Sequence, residues 1–154
     1  MPPEHKIYVT YREGARDPQG LLKYREMMDL GVSSISEVKS ASTYRIRNIT
    51  MDALKKLCKE LLVDPILQKY AIDIPPFRGG GWLVEVWLKP GVADPVSETI
   101  KDAARFLDLS PTFTVSSGMT YFLVGELTEN TLKWVIRKSL ANPIIHTYEY
   151  RWLE

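Results

Sequence analysis

The chain is written twice, and this limits its fold more than any other feature. Gly14-Ala15-Arg16-Asp17-Pro18 recurs as Gly91-Val92-Ala93-Asp94-Pro95 at an offset of 77, and Thr43-Tyr44 recurs as Thr120-Tyr121 at the same offset. Leu61-Leu62-Val63-Asp64-Pro65-Ile66 reads against Ser139-Leu140-Ala141-Asn142-Pro143-Ile144 at an offset of 78, as does Tyr70 against Tyr148. Several matches in one order at a nearly constant offset mark an internal duplication, with one residue inserted between Tyr121 and Thr128. Between the copies lies Pro75-Pro76-Phe77-Arg78-Gly79-Gly80-Gly81, a run that breaks both helix and strand. The expected organisation is therefore a first repeat over 1–74, a linker over 75–81 and a second repeat over 82–154. Each copy alone has a thin core. The short tether keeps the copies at high effective concentration, so they are expected to pack on each other.

The duplication lets each element be read twice. Ile7, Val9 and Tyr11 alternate with Lys6, Tyr8 and Thr10, and Val84, Val86 and Leu88 with Leu83, Glu85 and Trp87; the inward sets correspond position by position, which predicts a first strand in each copy. Asp17-Pro18 and Asp94-Pro95 predict helix starts, since Asp caps well and Pro at the first helical position loses no hydrogen bond. The helices run to about Leu30 and Leu107. Their stripes agree poorly: Leu21, Tyr24, Met27, Met28 and Leu30 in one copy, Ile100, Ala103, Ala104 and Leu107 in the other. Two strands are then expected, Ser34 to Lys39 and Tyr44 to Asn48, with a hairpin turn at Ser40-Ala41-Ser42, matched by Ser117-Gly118-Met119. A second helix starts after Thr50 or Thr128, buries Leu54, Leu57, Cys58 and Leu61, and stops at Asp64-Pro65 or Asn142-Pro143. A last strand holds Tyr70, Ile72 and Ile74, or Tyr148, Tyr150 and Trp152. The order β-α-β-β-α-β in each copy predicts an α+β, ferredoxin-like unit: an antiparallel sheet with helices on one face. Two such units would pack as an intramolecular pseudo-dimer.

The open sheet face differs between the copies. The first carries Lys6, Tyr8, Thr10, Arg45 and Arg47, the second Leu83, Glu85, Trp87, Phe122 and Val124. An apolar face of that kind is not expected to stay in water, so it should meet another sheet or a partner. Trp134 lies off the buried stripe of its helix, where the first copy has Lys56. A solvent-side Trp is a candidate interface residue. Arg12 and Lys89 occupy matching positions after the first strands. The candidate partner contacts are therefore Arg12, Arg45, Arg47, Trp87, Lys89, Phe122 and Trp134.

Chemistry-bearing residues are sparse. Cys58 falls on a buried stripe opposite Ile136, which suits a core residue better than a nucleophile. His5 and His146, the only histidines, are not repeated and lack metal-ligand spacing. The three glycines of the linker lack a following Lys-Ser/Thr and open a strand, unlike a phosphate-binding loop. Neither catalytic residues, nor a cofactor, nor a metal is expected. The net charge of +1 offers no electrostatic case for nucleic acid or an anionic membrane. The opening Met1-Pro2-Pro3-Glu4-His5-Lys6 lacks the apolar core of a signal peptide, no apolar run is long enough to span a bilayer, and one cysteine suits a reducing, cytoplasmic setting.

Leu88-Lys89-Pro90-Gly91-Val92-Ala93-Asp94-Pro95 and Leu140-Ala141-Asn142-Pro143-Ile144-Ile145 with Tyr148 resemble the opening and closing signatures of the PurS family. The first copy keeps Gly14, Asp17-Pro18-Gln19-Gly20, Leu30-Gly31, Leu61-Leu62, Pro65-Ile66 and Tyr70. It departs at Arg12-Glu13, where Lys-Pro is usual, and neither copy has the family's Gly-Lys at the central hairpin. The resemblance implies a non-catalytic accessory subunit of phosphoribosylformylglycinamidine synthase, an ATP-dependent ligase complex of purine biosynthesis. It implies partners of two kinds, a PurL-type synthetase and a PurQ-type glutaminase, between which the subunit forms a bridge and supports ammonia transfer. Family members dimerise, so the tandem chain would be a covalent dimer, with room for further self-association. Two other classes compete. An ACT-like small-molecule sensor is disfavoured by the lack of a Gly-rich turn after the first strand, and an RNA-binding sheet by the near-neutral charge.

Overall fold

A computed structural model describes residues 3–110 and 112–154; Met1 and Pro2, at the head of the segment weighed above as a leader, and Pro111 lie outside the described residues. The elements in chain order are β1 (Glu4–Tyr11), α1 (Pro18–Asp29), β2 (Ile35–Arg47), α2 (Met51–Leu57), β3 (Gln68–Ile72), β4 (Gly81–Leu88), α3 (Pro95–Ala104), β5 (Thr114–Gly125), α4 (Glu129–Val135) and β6 (His146–Leu153). The caps fall where the sequence places them. Asp17 accepts from Gly20 N at 2.9 Å and Asp94 from Ser97 N at 3.1 Å. Thr50 and Thr128 accept from Ala53 N and Thr131 N, both at 3.2 Å. Each satisfies an amide that the helix itself leaves without a partner. Helices α2 and α4 both run on into a π-helical turn, over Cys58–Leu62 and Ile136–Leu140. These turns close with i to i−5 bonds from Val63 N to Cys58 O and from Ala141 N to Ile136 O.

The hairpin expectation fails. Ser40–Ser42 and Ser117–Met119 are not hairpin turns: β2 is a single strand of 13 residues and β5 one of 12. Small residues suit a turn, but the Ser40 and Ser117 amides are held by the Asp17 and Asp94 carboxylates at 2.7 and 2.8 Å, which keeps the backbone extended. The two halves of each long strand still do the work of the two expected strands, so each repeat keeps a β-α-β-β-α-β-like order.

The consequence is an exchange. The chain forms two compact units, and neither is a single repeat. Unit one comprises Met1–Ala15, Ser42–Pro76 and Ala93–Gly118; unit two comprises Arg16–Ala41, Phe77–Val92 and Met119–Glu154. In unit one the strand order is β3-β1-β2-β5, using the second half of β2 and the first half of β5. Strand β1 is antiparallel to both neighbours, with Ile7 opposite Tyr44 and Ile72. Its core joins Ile7, Val9, Ile46, Leu54, Leu57, Cys58 and Leu62 of the first repeat to Ile100, Ala104 and Phe113 of the second. In unit two the order is β2-β5-β4-β6, and Met27, Val32, Ile35 and Val38 of the first repeat join Val84, Val86, Leu123, Leu132, Val135 and Ile136 of the second. Each unit thus has an antiparallel sheet and two helices, but α1 serves the second repeat's core and α3 the first's.

The exchange also explains the mismatched helix stripes. The buried positions of α1 and α3 correspond at the offset of 77: Gly20 with Ser97, and Met27 with Ala104. Met28 and Leu30, expected inside, are 39% and 38% exposed. Between the two matched pairs, Lys23 stands where α3 has buried Ile100, so a polar residue interrupts the stripe that the sequence shows.

The final strands differ in length. Strand β3 stops at Ile72 because Asp73 adopts a positive φ of 66° and its carboxylate accepts from Lys6 N at 2.9 Å. Ile74, expected in this strand, is 73% exposed. Strand β6 has no such stop and continues to Leu153.

Candidate functional site

The most built feature in each unit is the seam where an exchanged helix meets the π-turn of the other repeat. In unit two it is polar. Gln19 donates to the Tyr121 hydroxyl at 3.3 Å. Lys23 donates to the Ser139 carbonyl at 2.8 Å and to Glu26 at 3.1 Å, and the Ser139 hydroxyl donates to Glu26 at 2.6 Å. The Ser139 hydrogen bond holds the Glu26 carboxyl below its ordinary range; partial burial opposes this, and Lys23 adds to it.

In unit one the corresponding residues are apolar. Val96 replaces Gln19, Ile100 replaces Lys23 and Leu61 replaces Ser139, with Tyr44 in the place of Tyr121. A cleft of about 330 Å3 opens there, lined by Tyr44, Leu61, Leu62, Val96, Thr99 and Ile100. A second cleft of unit one, about 390 Å3, is lined by Asn48, Ile49, Thr50, Ala53, Ser110 and Thr112 among others. The first can accept an apolar group beside a phenol; the second mixes the amide of Asn48 and the hydroxyls of Thr50, Ser110 and Thr112 with the apolar Pro3, Ile49, Ala53 and Leu109.

The seven candidate contacts divide between the two units and differ in exposure. Trp87 and Phe122 are buried, 3% and 0% exposed, so the apolar face of the second copy is covered, as expected of such a face. Phe122 is stacked on Phe77 at 5.3 Å and 6°, and a ring packed inside the chain is not a surface contact. Arg45 is half-buried with a partner of its own, and Arg47 is exposed and paired with Glu4 at 2.8 Å. Trp134 is 43% exposed on α4. Arg12 and Lys89 are equivalent in structure as in sequence: the Arg12 amide donates to Leu67 O and the Lys89 amide to Ile145 O, both at 2.8 Å. In each case the loop after the first strand is tied to the loop before the last.

Sequence reasoning missed Gln19, Lys23, Glu26 and Ser139. The signal was present in the poor agreement of the two stripes, but its meaning depends on which sheet the helix joins.

The nucleophile and ligand candidates take structural places. Cys58 is fully buried, and burial pushes its thiol up to about 12. His5 bonds Asp73 at 2.9 Å. His146 accepts from Asn142 N at 2.9 Å, and burial lowers its pKa. Among the described residues, no group of three His, Cys, Asp or Glu side chains is placed to hold a metal ion. No helix among them is long and apolar enough to cross a membrane.

The family model PurS, phosphoribosylformylglycinamidine (FGAM) synthase, matches residues 4–76 and again 82–154. A phosphoribosylformylglycinamidine synthase subunit PurS of Archaeoglobus fulgidus is 28% identical over 72 residues, which is 43% of this chain and 90% of that protein. The crystal structure of Methanocaldococcus jannaschii PurS, a subunit of formylglycinamide ribonucleotide amidotransferase, is similar at 28% identity and a TM-score of 0.36, covering 49% of this chain and 98% of that one. With both repeats matched along nearly their whole length, the chain belongs to the PurS family, an accessory subunit of phosphoribosylformylglycinamidine synthase in purine biosynthesis, and it carries the family's unit twice.

Proposed function

We propose that this chain is the non-catalytic subunit that joins a PurL-type synthetase to a PurQ-type glutaminase in the ATP-dependent phosphoribosylformylglycinamidine synthase complex, and that it supports ammonia transfer between them in the cytoplasm. The observation that carries this reading is the double family match over residues 4–76 and 82–154. The unlike seams of the two units add to it, since a bridge between different proteins needs unlike surfaces. Of the candidate contacts, Arg12, Lys89 and Trp134 are the ones we assign to partner docking.

The test is to combine the chain with the synthetase and glutaminase of its own organism and measure glutamine-dependent amidation. The complex should form with all three chains, and activity with glutamine should fall when this chain is left out. Unchanged activity without it would refute the accessory role. Trp134→Ala should weaken complex formation while leaving the melting temperature of the isolated chain within about 2 °C.

A further inference from the structure

The two sheet edges are treated differently. In unit one the edge strand β3 has five residues and is stopped by Asp73. In unit two the edge strand is β6, with eight residues and one unbroken register against β4 from Gly81 opposite Leu153 to Leu88 opposite His146. It contains no proline, and none of its residues has a positive φ. A long, regular edge without a stop is a template for a further strand.

We propose that β6 pairs antiparallel with β6 of a second copy of this chain, with the two-fold axis at Tyr150 and Glu149 of each copy opposite Arg151 of the other. The backbone decides which residues can pair. The Lys89 amide bonds Ile145 O, so along the β4–β6 register Thr147, Glu149 and Arg151 aim their amides and carbonyls at β4. Tyr148, Tyr150 and Trp152 therefore turn theirs to the free edge. Self-pairing must join this outward set to itself.

Charge then selects the register. Centred on Tyr150, the pairing sets Tyr148 against Trp152 of the second copy, forms about six backbone hydrogen bonds and leaves Glu149 opposite Arg151 twice. Those two charges fall in the non-hydrogen-bonded positions, where side chains approach most closely. Both are exposed in the single chain. A register centred on Glu149 opposes two glutamates, and one centred on Arg151 opposes two arginines; like charges directly opposite are unfavourable. Only the register centred on Tyr150 places opposite charges face to face. The aromatic residues fit as well. Trp152 is 47% exposed and leans edge-on against Trp82 at 5.5 Å, so one face of this cluster is left for Tyr148 of the second copy.

The test needs no other protein of the complex and is independent of the function proposed above. Sedimentation velocity of the full chain should show a monomer–dimer equilibrium between about 1 and 100 μM. Glu149→Arg and Arg151→Glu should each raise the dimer dissociation constant about tenfold or more. The double exchange Glu149→Arg with Arg151→Glu should return it to the native value, because both opposite-charge pairs are restored. Folding is not at risk in the first variant: Glu149 faces Glu85 across its own ladder, so an arginine there meets an opposite charge. A chain that stays monomeric across this range overturns the proposal. So does a dimer indifferent to the single charge reversals, or a double exchange that fails to restore pairing.

Discussion

The Asp17 carboxylate accepts from both the backbone amide and the hydroxyl of Ser40, each at 2.7 Å, while it also caps α1. Asp94 repeats the arrangement with Ser117, at 2.8 and 2.7 Å. One side chain therefore starts a helix and pins that helix to the middle of a long strand 23 residues away. Asp17→Ala should cost about 2–3 kcal/mol, because it removes a cap and leaves the buried Ser40 amide without an acceptor. Ser40→Ala, which keeps the amide bond, should cost only about 1 kcal/mol. Urea denaturation of the two variants checks the difference. Equal losses would mean that the backbone bond contributes little.

The polar seam of unit two makes a second prediction, in pH. The Ser139 hydroxyl, against partial burial and with help from Lys23, holds the Glu26 carboxyl below its ordinary 4.5. A carboxylate with a depressed folded pKa stabilises the fold above its unfolded pKa, and that stability is lost as pH falls through the folded value. Ser139→Ala should therefore lower stability by about 1 kcal/mol at pH 7, the pair being partly exposed. The loss should shrink as pH falls through the lowered Glu26 pKa, because protonation weakens the same bond in the native chain. Denaturant midpoints at pH 7 and pH 3 test it, and a loss that is constant with pH would contradict the assignment.

Burial makes a third prediction at Cys58. With its pKa raised to about 12, the thiol is almost wholly protonated at pH 8, where an ordinary cysteine is partly thiolate. Labelling by a disulfide reagent at pH 8 should be about a thousandfold slower in the folded chain than in urea. Rapid native labelling would show that α2 opens readily or that the thiol has a charged neighbour.

Much of this architecture is legible from the repeat alone. Asp17 and Asp94 as caps, Ile7 and Val84 as inward strand residues and Cys58 as core all follow from reading each element twice. Periodicity reports which face of a helix is buried, however, and not which sheet it is buried against. That is why the exchange of α1 and α3 is invisible in the stripe. Lys23 opposite Ile100 then looks like disagreement, when it is one position filled by different chemistry in two different seams. The Ser40–Ser42 segment fails for a related reason. Turn propensity is local, and the carboxylate that keeps these residues extended comes from Asp17. At the candidate surface the same limit applies. Alternation shows that Trp87 and Phe122 share a face but not whether the chain covers it.

The linker supplies the last case. Pro75 to Gly81 reads as a short linker, yet Phe77 within it is 6% exposed and stacks on Phe122. Gly81 at its end starts β4, and a Cβ there would meet the Leu123 carbonyl at 2.7 Å and the Phe122 ring at 2.7 Å. Only Gly79 and Gly80, with φ of 102° and 82°, retain the character of a tether, because positive φ suits glycine. Phe77→Ala should therefore cost about 3 kcal/mol, as deletion of a buried stacked ring does, and Gly81→Ala should also destabilise by forcing the strand off Phe122. Arg78→Ala, in the same segment but exposed, should change stability by less than about 0.5 kcal/mol. Thermal melts of the three variants discriminate a packed segment from a passive one. If Phe77→Ala melts with the native chain, the ring contributes nothing and the linker is only a tether.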